Sequence, residues 1–122
     1  MRALVVDDSR ATRRIVGDIM RRLGYEVTEA GNGRDALDRL NELGAPDVVL
    51  VDWNMPVMDG LEFIKQVRAN DAFALLPLMM ITTETEMERM AYAFVAGVNE
   101  YVMKPFDEAT IHEKLRLIGI GA

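Results

Sequence analysis

The sequence feature that most constrains the fold is a four-residue apolar run, Val48–Val51, that stops at a single acid, Asp52. The run is rich in β-branched residues and too short for a helix, which is typical of a parallel strand buried on both faces. The acid would then lie at the carboxyl end of that strand. In open α/β sheets ligands bind at this edge, because the loops that leave successive strands converge there. Asp52 is therefore the first candidate for a reactive residue.

Four more strand-like runs alternate with helical segments along the chain. They cover residues 3–6, 25–30, 78–81 and 101–103, and an amphipathic pattern follows each of the five runs. Such alternation favours a parallel sheet with helices on both faces. The second run alternates polar and apolar residues, which is typical of an edge strand with one solvent-exposed face. We therefore predict a doubly wound α/β fold, a five-stranded parallel sheet of order 2-1-3-4-5 as in flavodoxin-like (βα)5 proteins.

The helical segments are marked by apolar stripes and by capping residues. In the first segment, Ile15 and Ile19 recur at four-residue spacing, and its arginines are typical of a solvated face. In the fourth, the apolar residues stand at positions 87, 90, 91, 94 and 95. Ser9, Asp59 and Asp107 precede predicted helices, where a side-chain oxygen can accept hydrogen bonds from free main-chain N–H groups.

Composition narrows the possible functions. The 122 residues suffice for one domain, which we place at 1–122. The net charge of −6 argues against a nucleic-acid surface, because binding the phosphate backbone requires clustered Lys and Arg. The chain has no cysteine, so disulfides and a cysteine nucleophile are excluded. The apolar runs are too short for a membrane span. We therefore expect a cytoplasmic protein that binds neither nucleic acid nor membrane.

Polar side chains follow four of the five predicted strands. They are Asp7 and Asp8 after the first, Asp52 after the third, Thr82 and Thr83 after the fourth, and Lys104 after the fifth. Two carboxylates about 4 Å apart repel by roughly 4 kcal/mol at an effective dielectric constant of 20, so positive charge must lie among the acids. Lys104 can supply one charge. Oxygen ligands without histidine or cysteine suit a hard ion, so we predict a Mg²⁺ site.

A carboxylate, a divalent ion, a lysine and a hydroxyl together indicate phosphoryl transfer to Asp52, because that reaction needs mostly positioning and charge neutralisation. Two function classes remain open. One is a signalling protein that accepts a phosphoryl group; the other is an aspartyl phosphatase or phosphotransferase of the haloacid dehalogenase type. The second class carries another acid two residues after its nucleophile, where this chain has Asn54. The chain also has no room for a cap domain.

Several motifs in this order resemble the receiver domains of two-component response regulators, most closely the single-domain chemotaxis members known as CheY proteins. The motifs are VVDD at the first strand, DWNMP and MDG around Asp52, Thr82 after the fourth strand, and YVMKPF at the fifth. The resemblance covers essentially the whole chain. It implies that Asp52 takes a phosphoryl group from a sensor histidine kinase or a phosphotransfer protein, and that the chain is not an enzyme acting on other substrates.

The resemblance also implies a ligand set for the cation. Asp7, Asp8, Asp52 and the main-chain carbonyl of Asn54 would hold Mg²⁺. Lys104 would pair with the phosphoryl group on Asp52.

The same resemblance implies a switch. Thr82 would move to hydrogen-bond the phosphoryl group, Tyr101 would turn from an outward to an inward rotamer, and the bond preceding Pro105 would be cis. Phosphorylation would shift the balance between two packings of the fourth helix, fifth strand and fifth helix. That face would then bind a downstream target protein.

Overall fold

The computed structural model describes residues 1–83 and 87–120. Within them, five strands alternate with five helices. The strands are β1 (Arg2–Val6), β2 (Glu26–Ala30), β3 (Val48–Val51), β4 (Leu78–Thr82) and β5 (Glu100–Met103); the helices are α1 (Arg10–Arg22), α2 (Gly33–Leu43), α3 (Gly60–Ala69), α4 (Met87–Ala96) and α5 (Glu108–Leu117). A short 3-10 helix, Asp71–Phe73, which the sequence patterns did not predict, precedes β4.

The five strands form one parallel sheet in the order β2-β1-β3-β4-β5. The predicted order is therefore confirmed, with the half-polar β2 at one edge. Val6 pairs with Val51, so the last residues of β1 and β3 lie side by side. The residues that follow these two strands consequently leave the sheet next to each other.

The core lies in two layers, one on each face of the sheet. Because successive strand residues point to opposite faces, Val5 and Leu50 pack with α1 and α5, whereas Val6 and Val51 pack with α2, α3 and α4. All four residues of β3 are buried, as expected for a central parallel strand covered on both faces. Helices on both faces confirm the doubly wound architecture.

The predicted helix caps are confirmed. The side chain of Ser9 accepts a hydrogen bond from the main chain of α1, Asp59 does so for α3, and Asp107 does so for α5. Each cap occupies main-chain N–H groups that a helix start leaves unpaired. In the described residues, no helix has both the length and the hydropathy that a membrane-spanning segment needs.

Parts of the apolar stripes of α1 and α4 face solvent, although the sequence pattern predicts that they face the core. Ile15 is 57% exposed, and Val16 takes its place in the core. In α4, Phe94 is 45% and Val95 87% exposed, while Ala93 is fully buried. Ala93 therefore faces the core, and the two larger side chains that follow it are turned toward solvent. The side chain of Met87, also part of that stripe, lies outside the described part of the chain.

Candidate functional site

The carboxyl edge of the sheet gathers the three predicted acids. One carboxylate oxygen from each of Asp7, Asp8 and Asp52 lies within 4.8 Å of the other two. Asp7 and Asp52 are buried, with 4% and 8% of their surfaces exposed, whereas Asp8 is exposed to solvent. The cluster follows from the register, because β1 and β3 are adjacent and end at the same level.

Lys104 reaches the same cluster from the end of β5. Its Nζ donates hydrogen bonds to Oδ2 of Asp7 at 3.1 Å and to Oδ2 of Asp52 at 3.2 Å. The lysine side chain is 19% exposed, so both contacts are largely shielded from water. Burial by itself would lower the pKa of Lys104, but the attraction of Asp52 and Asp7 outweighs it and the pKa is raised. Lys104 is therefore a firmly charged ammonium that bridges two acids.

Asp52 is held in one orientation by its neighbours. Its Oδ1 accepts a hydrogen bond of 2.7 Å from the main-chain N–H of Trp53, and its own N–H donates to the carbonyl of Val6 at 2.9 Å. These contacts leave Oδ2 directed toward the ammonium of Lys104. The orientation of the Asp52 carboxylate at the sheet edge is therefore fixed by contacts within the chain.

Asp7 is buried against the same lysine. Its Oδ1 accepts a hydrogen bond from the main-chain N–H of Ser9 at 2.9 Å. Burial is the largest influence on this carboxyl and raises its pKa; the nearby charge of Asp52 adds to the increase, and the contacts with Ser9 and Lys104 reduce it. The pKa of Asp7 is therefore raised mainly because the carboxyl is buried, and its contacts with Ser9 and Lys104 only partly offset that effect.

The loop after β3 is shaped around Asp52. Gly60 donates its N–H to the carbonyl of Trp53 at 2.8 Å, and a Cβ at this position would collide with the Asp52 carbonyl oxygen. Glycine is therefore required where α3 begins. Val57 has φ of +69°, and Met58 donates its N–H to the carbonyl of Pro56 at 2.7 Å, which closes a γ-turn of the rare strained form.

The residues predicted to form a switch lie on the neighbouring strands β4 and β5. Thr82 is fully buried at the end of β4, and its carbonyl accepts a hydrogen bond of 2.9 Å from the main chain of Lys104. Tyr101 is in an inward, buried position with its ring 6.4 Å from that of Phe94. The peptide bond between Lys104 and Pro105 is cis. Asn54 lies exposed in the loop two residues beyond Asp52.

Two arginines at the site were missed from the sequence. Arg13 was counted with the solvated face of α1, but its side chain is only 17% exposed and contacts the end of β1. Its place one turn before the buried Val16 could have indicated this. Arg89 on α4 lies with its guanidinium 5.4 Å from the ring centre of Trp53, a contact between distant segments that no local pattern reveals.

The donor set fits a hard divalent ion. The three aspartates offer only carboxylate oxygens as ligands, and two of these side chains are buried. A bound cation would relieve the repulsion among the three carboxylates. Magnesium typically binds through one or two carboxylates, retained waters and a phosphate oxygen, and such a set needs no complete protein cage. The chemistry of these residues therefore fits Mg²⁺ at the sheet edge.

Comparison with known proteins decides the family. A profile of the response regulator receiver domain matches residues 3–116. The chain belongs to the response regulator receiver domain family. Chemotaxis protein CheY1 of Helicobacter pylori strain J99 is 44% identical over 119 residues, which cover 97% of this chain and 96% of the relative. The Campylobacter jejuni CheY homolog is 43% identical over 124 residues, which cover 100% and 95% of the two chains.

Solved structures confirm the fold of this receiver domain. Vibrio cholerae CheY4 superposes with a TM-score of 0.89 at 37% identity, covering 96% of this chain and 97% of that one. A putative response regulator from Chloroflexus aurantiacus gives a TM-score of 0.90 at 30% identity, covering 96% and 95%. The receiver domain is therefore of the CheY-like type, a class of signal-transducing rather than enzymatic proteins. A haloacid dehalogenase is not favoured.

Proposed function

We propose that this receiver domain accepts a phosphoryl group on Asp52 from the phosphohistidine of a sensor kinase or of a phosphotransfer protein. The observation that carries the proposal is the ammonium of Lys104 bridging Asp7 and Asp52 at 3.1 and 3.2 Å. It puts a positive charge beside the carboxylate that would be modified. Acid-only clusters lack such a charge and would repel an incoming phosphate.

In the proposed reaction, an oxygen of the Asp52 carboxylate attacks phosphorus while the phosphorus–nitrogen bond to the donor imidazole breaks. The imidazole nitrogen keeps the bonding electron pair. Bound Mg²⁺, held by Asp7, Asp8, Asp52 and the main-chain carbonyl of Asn54, would neutralise charge on the phosphoryl oxygens. Lys104 would exchange its contact with the carboxylate for one with a phosphoryl oxygen, so its charge stays paired throughout.

The signal would leave the site through Thr82 and Tyr101. A phosphoryl group on Asp52 would draw the Thr82 hydroxyl toward it, and the space vacated would further stabilise Tyr101 in the inward position that it already occupies in this structure. Because the Tyr101 ring packs near Phe94, a change in the position of Tyr101 would alter the outer surface of α4. We propose that a downstream target protein in the cytoplasm reads the α4, β5 and α5 face, where Phe94 and Met103 are each 45% exposed.

The test is transfer of labelled phosphate. The chain is mixed with Mg²⁺ and a kinase domain carrying labelled phosphohistidine, and label on the chain is followed over time. We expect stoichiometric labelling of the parent and none of Asp52→Asn. Asp47→Asn is a matched control, because Asp47 precedes β3 at the opposite edge of the sheet and should label normally.

A different pattern would favour the other class. Continuous release of phosphate from a phosphomonoester, without accumulation of labelled chain, would indicate a phosphatase and contradict the proposal. Equal labelling of Asp52→Asn and the parent would show that another residue is the acceptor.

A further inference from the structure

Arg13 holds the peptide that carries two of the three acids. Its Nη1 donates a hydrogen bond of 2.7 Å to the main-chain carbonyl of Asp7, the carbonyl of the peptide bond between Asp7 and Asp8. Its Nε donates to Oε1 of Glu29 on β2 at 3.2 Å. The guanidinium therefore joins the end of β1 to β2, through the two N–H directions that only an arginine fork supplies.

The two acids differ in how they are held. The side chain of Asp7 is fixed by the N–H of Ser9 and the ammonium of Lys104. The side chain of Asp8 is exposed, and no described residue gives it a hydrogen bond or an ion pair. The direction in which Asp8 projects is consequently set by its main chain. Arg13 supplies the hydrogen bond that fixes the carbonyl directly before it.

We propose that Arg13, braced by Glu29, is a positioning residue that sets the geometry of the divalent-cation site. This inference rests on the proposed function, because it assumes that Asp7 and Asp8 hold Mg²⁺. Groups that orient metal ligands without touching the metal typically change its affinity by 10–100-fold when they are removed. Loss of the Arg13 hydrogen bond would free the peptide, so that Asp8 has to be ordered each time the ion binds.

A purely electrostatic effect of Arg13 predicts the opposite change in Mg²⁺ affinity. Removing a cation near a magnesium site lowers the repulsion of the ion, so a purely electrostatic role would give Arg13→Met a tighter site. A positioning role gives a weaker one. The direction of the change in Mg²⁺ affinity therefore separates the two explanations.

The experiment is a Mg²⁺ titration of the full chain, followed by the fluorescence of Trp53, the one tryptophan of the sequence. We expect Arg13→Met to raise the dissociation constant for Mg²⁺ about tenfold. Arg13→Lys should not restore it, since an ammonium cannot reproduce the fork. Glu29→Gln keeps the shape of the brace but weakens it, and should raise the constant less than Arg13→Met does.

Arg21→Met is the matched control. Arg21 lies on the same helix and also contacts Glu29, at 3.6 Å, but does not reach Asp7. Its loss removes the same charge, and we expect the affinity for Mg²⁺ to stay within twofold of the parent. Urea unfolding without Mg²⁺ checks that each variant is folded, and Glu29→Gln serves as the test variant if Arg13→Met is not.

Three outcomes would overturn the inference: unchanged affinity in Arg13→Met and Glu29→Gln, tighter binding in Arg13→Met, or an equal loss in Arg21→Met. Failure of the proposed function looks different, because the parent chain itself would then show no response to Mg²⁺.

Discussion

Replacing Asp8 by Asn should change stability in opposite directions with and without Mg²⁺. Oxygens of the three acids lie within 4.8 Å of one another. Two unit charges that far apart repel by about 3.5 kcal/mol at an effective dielectric constant of 20 and by about 0.9 kcal/mol in water. Asp8 is exposed, so the value near the water limit applies. We expect Asp8→Asn to raise the free energy of unfolding by about 1 kcal/mol when no divalent ion is present.

The effect of Asp8→Asn on the free energy of unfolding changes sign when Mg²⁺ is added. An ion that binds only the folded chain adds about 2.7 kcal/mol at one hundred times its dissociation constant. The parent should gain this amount, and Asp8→Asn should gain almost none because it lacks one ligand. With Mg²⁺ the variant should therefore be less stable than the parent by roughly 1.7 kcal/mol, the difference between these two effects.

Urea unfolding followed by the fluorescence of the buried Trp53 measures both quantities. Asp38→Asn on the outer surface of α2 is the control, since it changes the net charge equally but lies away from the site. It should shift neither curve by more than a few tenths of a kcal/mol. Destabilisation of the metal-free chain by Asp8→Asn, or a variant that keeps the full stabilisation by Mg²⁺, would contradict this expectation.

Three further changes test other parts of the structure by urea unfolding. Lys104→Met should lower the free energy of unfolding by about 2–4 kcal/mol without Mg²⁺, because it leaves Asp7 and Asp52 facing each other without a positive charge. Mg²⁺ should restore much of this stability, and an equal loss with Mg²⁺ would show that the ion does not replace the lysine. Val57→Gly should add about 1 kcal/mol by removing the strain of φ +69°, and a loss would show that the turn is not strained. Tyr25→Phe should add about 1 kcal/mol, because no described residue hydrogen-bonds the buried Tyr25 hydroxyl. Burial and, to a lesser extent, a nearby acid raise the pKa of Tyr25, so this tyrosine ionises at lower pH in the unfolded chain than in the folded one. The parent should therefore lose stability relative to Tyr25→Phe as the pH rises above about 10. A stability difference that stays constant with pH would contradict this.

The strand order and the convergence of Asp7, Asp52 and Lys104 could be predicted because both follow from topology. Once short apolar runs alternate with helices, the parallel sheet and its carboxyl edge are determined, and residues at strand ends must meet there. No distance was needed to expect the acids together. The pairing of Val6 with Val51 confirms that logic.

The details that escaped prediction depend on packing between distant segments. The inner face of α4 was misjudged because large side chains such as Phe94 weigh more in a pattern than the small Ala93, although close packing favours the small one. Arg13 was missed because its partners are a main-chain carbonyl and a glutamate on another strand. The strained φ of Val57 is imposed by the loop around Asp52, against the preference of a β-branched residue.

The most direct test of the account is to locate the modified residue chemically. The chain is incubated with acetyl phosphate, with and without Mg²⁺, and the acyl phosphate is reduced with borohydride before peptide mass spectrometry. We predict Mg²⁺-dependent conversion of Asp52 alone, greatly reduced in Asp8→Asn. Conversion at another acid, or conversion of Asp52 that is indifferent to both Mg²⁺ and Asp8, would contradict the central claim.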